Sequence, residues 1–144
     1  MNHRTLHCAG QATLLVALLV ANTAHAYRAE LKEARELAEL GANDQAVSLY
    51  EKALASPKLK NRNREKAEAE LVRVKSAAAS SHYRTGMKRA EKNQIVGAIA
   101  AYRKASQYDP TVAQYSDSLY AAETKLTQLI QGAERVLRNT RSAP

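Results

Sequence analysis

The chain has 144 residues, with 22 Lys+Arg against 14 Asp+Glu, seven Tyr, one Cys and neither Trp nor Phe. That length suits one ordinary domain with its own core, and a single cysteine excludes an internal disulfide framework. The formal charge of +8 favours anionic partners such as acidic protein surfaces, anionic lipid or glycan, although solubility alone also explains it.

Residues 1–26 read as a secretory signal peptide. Arg4, His3 and His7 precede an apolar run over 12–21, and Ala24-His25-Ala26 fits the small-x-small cleavage rule. The run is shorter than the roughly 18–20 residues that span a bilayer, which favours cleavage over an anchor. Cys8 lies before the run and is not placed for lipid attachment. Cleavage after Ala26 leaves 27–144 as the mature chain, a periplasmic or secreted protein with charge +7, no cysteine and His82 as its one histidine. Export makes nucleic acid the least fitting anionic partner.

The mature part reads as all-α. Ala, Leu, Glu, Lys, Arg and Gln dominate it, and no stretch alternates with period two. A first helix is predicted over 28–40, with Leu31, Ala34, Leu37, Ala38 and Leu40 on one face; Gly41 is its C-cap and Asn43 the next N-cap. The second covers 44–56, with Ala46, Val47, Tyr50, Ala53 and Leu54 as its apolar stripe, and Pro57 ends it. From 61 to 93 there is no proline and only Gly86. The spacing there predicts one long helix, with a break near Ser80-Ser81 as the alternative. A fourth helix over 95–108 turns Ile95, Ala98, Ile99, Tyr102 and Ala105 inward. A fifth starts from Thr111 as N-cap and runs to about 138, with Leu119, Ala122, Leu126, Leu129, Ala133 and Val136 as its seam.

One pattern occurs twice. Ala46-x-x-x-Tyr50-x-x-Ala53 precedes Pro57, and Ala98-x-x-x-Tyr102-x-x-Ala105 precedes Pro110, each after another helix. Two small residues flanking a large ring let helices approach closely while the ring fills the gap. With Ala34 and Gly86 on the preceding helices, each helix pair resembles a tetratricopeptide repeat (TPR). The resemblance implies a short α-solenoid: two TPR-like helix hairpins, over 28–57 and an extended 61–110, followed by a capping helix over 111–138. Ala46 and Ala98 lie 52 residues apart, against about 34 in that family, so the second unit's first helix is expected to be extended backwards.

The residue inventory offers little for catalysis. One histidine and no cysteine in 27–144 leave no Cys/His nucleophile, Ser-His-Asp triad or His-rich metal site, and no cofactor is implied. Glu30, Glu33, Glu36 and Glu39, and Glu65, Glu68 and Glu70, interleave with Lys and Arg as solvated helix faces do. His82 is read as a plain, partly exposed histidine. Two basic constellations remain. Lys58, Lys60, Arg62, Arg64 and Lys66 put five cations where a helix begins, against its dipole, either for an anionic partner or as a solvated loop. The second follows from the resemblance, in which the first helix of each unit lines a concave groove. The matching positions are Arg28, Leu31, Lys32 and Arg35, then Tyr83, Arg84 and Met87, with Gln114, Asp117 and Ser118 from the last helix. Such a groove suits a peptide carboxylate or acidic segment, although the amides that grip a peptide backbone in TPR carboxylate clamps are missing. The expectation is a non-enzymatic adaptor or assembly factor of a bacterial envelope that binds a protein partner in this groove. The alternative is a binder of anionic membrane surface or glycan through the 58–66 cluster.

Overall fold

The computed structural model describes residues 26–141, and every regular element among them is helical. Helix α1 covers 26–39, α2 Asn43–Leu54, α3 Asn61–Glu91, α4 Ile95–Tyr108 and α5 Ala113–Arg141. The expected signal segment lies, but for Ala26, outside the described residues. Among the described residues no helix is long and apolar enough to cross a membrane. The chain divides into two compact units at Val74 and Lys75, and α3 runs through both.

In the first unit α1 buries Tyr27, Leu31 and Ala34, α2 buries Ala46, Val47, Tyr50 and Ala53, and α3 buries Ala67 and Val74. Tyr50 is its largest fully buried side chain, and Ala46 and Ala53, one turn to either side, are completely enclosed. Leu59, set in the loop between Lys58 and Lys60, is also buried and brings that loop down onto the unit. Leu40 was expected on the apolar face but stands 82% exposed, because it is the C-cap residue at which the chain turns away.

In the second unit Ile95, Ala98, Ile99, Tyr102 and Ala122 form one buried cluster, and Ala79, Ala105 and Tyr115 another. Tyr83 packs against both, its ring centroid 5.6 Å from Tyr102 and 5.0 Å from Tyr115. Gly86 is buried under Tyr102: a Cβ there would lie 2.5 Å from the ring carbons Cδ1 and Cε1. The Ser80-Ser81 break does not occur. α3 is continuous, and the Ser80 hydroxyl lies 3.3 Å from the Tyr115 hydroxyl.

The 52-residue spacing is a period of the backbone and extends well beyond the alanine–tyrosine pattern. α1 ends at 39 and α3 at Glu91, α2 starts at Asn43 and α4 at Ile95, and α3 starts at Asn61 and α5 at Ala113. The two helix corners share one geometry. At the first, Gly41 N–H donates to Ala38 O and Ala42 N–H to Leu37 O; at the second, Asn93 N–H donates to Ala90 O and Gln94 N–H to Arg89 O. Both are Schellman terminations, with Gly41 at φ 77° and Asn93 at φ 57° as the left-handed residue. The N-cap residues that follow, Ala42 and Gln94, have nearly the same dihedrals and no side-chain cap. Asn43 therefore opens α2 and does not cap it. Thr111 is likewise not the cap of α5. Its backbone N–H and hydroxyl donate to Asp109 Oδ1 at 3.2 and 2.6 Å, which closes an Asx turn before the helix starts.

Candidate binding cleft

Within the first unit, α1 sets Tyr27, Arg28, Leu31 and Arg35 along a face, and the opening turns of α3 place Asn63 and Lys66 opposite them. These six residues line a cleft of about 300 Å³. Tyr27 and Leu31 are buried and supply its apolar lining, whereas Arg28, Asn63 and Lys66 are exposed. The Arg28 guanidinium lies 5.9 Å from the Tyr27 ring centroid, and its Nε donates to the Tyr27 hydroxyl at 3.3 Å.

One carboxylate organises the charges beside the cleft. Arg35 Nε donates to Glu70 Oε2 at 2.9 Å, the Tyr50 hydroxyl donates to the same oxygen at 3.2 Å, and Lys66 Nζ lies 3.9 Å from Oε1. The Glu70 side chain is only 14% exposed, so a group read from sequence as part of a solvated face is a buried-edge acceptor. Burial, then the charge and hydrogen bond of Glu70, push the Tyr50 phenol above its ordinary pKa. Three cations thus border the cleft, with the Glu70 carboxylate already engaged by Arg35. Arg28 and Lys66 are exposed on its rim, and Asn63 adds an amide. The chemistry on offer is anion recognition next to an apolar surface.

The structure regroups the predicted site residues. Arg28 and Arg35, from the expected groove, share the cleft with Lys66, from the expected basic patch. Lys32 does not line it; its side chain is 80% exposed and pairs with Glu36 one turn on, at 3.7 Å. Tyr83, Arg84 and Met87 belong to the second unit, where Tyr83 is committed to packing and Arg84 and Met87 are exposed. The basic run is not one uniform patch. Arg64 turns back and donates from Nη1 to Leu54 O at 2.7 Å and from Nη2 to Ser56 O at 3.1 Å, so it satisfies carbonyls at the end of α2. Lys58, Lys60 and Arg62 are exposed around the buried Leu59. His82 stacks on Tyr108 with ring centroids 5.7 Å apart. Sequence reading missed Tyr27 and Asn63 as lining residues. The signals were present: Tyr27 lies one turn before Leu31, and Asn63 one turn before Lys66.

Among the described residues, no three His, Cys, Asp or Glu side chains come together as a metal-binding group. Comparison with protein families, with curated proteins and with solved structures finds no match for this chain.

Proposed function

We propose that this protein is a non-enzymatic adaptor that holds an acidic or carboxylate-bearing segment of a partner protein. The observation that carries this reading is the cleft between α1 and the start of α3, where Arg28, Arg35, Lys66 and the Asn63 amide meet the apolar Tyr27 and Leu31. A carboxylate entering there finds arginine and lysine donors on the rim and an apolar surface for a neighbouring side chain. The two tight helix corners and the recurrent small–Tyr–small seam support a TPR-like binding scaffold. A role as an envelope adaptor or assembly factor rests on the signal-peptide reading of residues 1–26. The rival reading, an anionic surface bound by the 58–66 cluster, is weakened by the use of Arg64 as a cap and of Leu59 as a core residue.

The test is binding of a fluorescent Glu- and Asp-rich peptide with a free C-terminus, measured by anisotropy. Arg28→Glu with Lys66→Glu is expected to weaken binding at least about tenfold, the scale on which loss of a charge-assisted contact is felt. Lys58→Glu with Arg62→Glu is expected to leave it nearly unchanged. Equal loss in both double variants would return the site to the basic run, and no binding by the parent protein at low ionic strength would reject the cleft.

A further inference from the structure

The seam of α5 that packs into the second unit through Leu119, Ala122 and Leu126 does not stop where the packing stops. Every residue from 127 to 141 is exposed, yet the seam continues through Leu129, Ile130, Ala133, Val136 and Leu137. Leu129, Ile130, Val136 and Leu137 are 51–63% exposed. An isolated stretch of this length is a marginal helix in water, and a continuous apolar stripe on it calls for a cover.

The stripe has an internal symmetry. Leu129 and Leu137 lie four residues either side of Ala133, and Ile130 and Val136 lie three either side. A two-fold axis through Ala133 would therefore bring Leu129 onto Leu137 of a second copy and Ile130 onto Val136. This self-complementarity is what a two-fold interface requires. The centre suits close approach: Ala133 is small, and a Cβ built on Gly132 meets nothing within 4 Å. In that antiparallel register Glu134 comes within one turn of Arg135 of the copy. At the rims Lys125 meets Arg141, so like charges are screened as salt rises.

We propose that α5 is a homodimerisation helix, pairing antiparallel with α5 of a second copy about Ala133. This inference is independent of the cleft, which belongs to the other unit.

The full chain is examined by light scattering across a range of concentrations. Its mass is expected to rise from the 15.8 kDa of one chain towards twice that value, and the shift should be stronger at high salt. Ile130→Glu with Leu137→Glu changes only exposed residues and should hold the mass at one chain, with helical circular dichroism falling by no more than the fraying of residues 127–141 and with the cooperative unfolding of the rest retained. In a Cys8→Ser background, oxidised Ala133→Cys is expected to cross-link to itself, whereas Val136→Cys should cross-link to Ile130→Cys and not to itself. A chain that stays monomeric leaves the seam to an acidic helix of another protein and overturns the proposal. So does a dimer that survives the double glutamate variant, or self-linking at Val136 as ready as at Ala133.

Discussion

At Gly86 the absent side chain is the functional property. Alanine in a helix interior normally stabilises by about 1 kcal/mol relative to glycine. Here a methyl group would sit 2.5 Å from two carbons of the Tyr102 ring, which is itself buried and held by its neighbours. Overpacking of this kind costs about 1–3 kcal/mol, so Gly86→Ala is expected to lower the urea midpoint despite its better helix propensity. A midpoint that rises would show that the ring moves aside freely. One period earlier the same place is taken by Ala34, fully buried, so the two units fill their equivalent positions differently. The importance of Gly86, Tyr50 and Tyr102 was legible in the sequence, because alanine flanks both rings at helical spacing. The roles of Arg64, Leu59 and Glu70 were not. Each is set by a tertiary partner, and within a run of charges nothing local distinguishes a capping arginine from a solvated one.

Between helices, the corners carry the order. Both α1 and α3 end on a left-handed residue, glycine at 41 and asparagine at 93. A Cβ at Gly41 meets nothing within 4 Å, so replacing it tests backbone strain alone. Gly41→Ala should destabilise by about 1–2 kcal/mol, the cost of the left-handed region for an ordinary residue. Gly41→Asn should cost less, since asparagine tolerates that region and does so at 93. Equal losses in chemical denaturation would contradict the assignment of strain. Sequence patterns placed these helices to within two or three residues but set two caps wrongly. Asn43 and Thr111 carry side chains typical of N-caps, whereas the corner is fixed by how the preceding helix terminates and the α5 start by an Asx turn. Asn93 was read as the end of a helix, with no hint of its left-handed backbone.

For the whole molecule, alkaline pH is the revealing stress. Tyr50 in one unit and Tyr102 in the other both have phenols raised above the ordinary 10.0, first by burial. Lys52 is raised as well, through its hydrogen bond to Glu30. For all three, the folded state holds its proton more tightly than the unfolded state does. The stability these three groups contribute is therefore fully present below about pH 10 and is lost as pH climbs through their folded-state values. Denaturant titrations at rising pH should show this decline, and Tyr50→Phe should make it shallower. An unchanged slope would remove Tyr50 from the linkage. The all-helical class was legible from composition, and the doubled motif marked the 52-residue spacing. The period was visible only as a spacing too long for the expected repeat, because a single unbroken helix, α3, serves as the last helix of one unit and the first of the next. That sharing has a consequence for how such a chain can grow. A tandem copy of residues 61–112 would begin with the start of a long helix and end on the turn that introduces another. Such a duplication creates one new junction, Val112 to Asn61, and it falls where a turn enters a long helix, the kind of boundary the chain already has before Asn61 and before Ala113, so the gene could lengthen by whole modules without cutting into a helix.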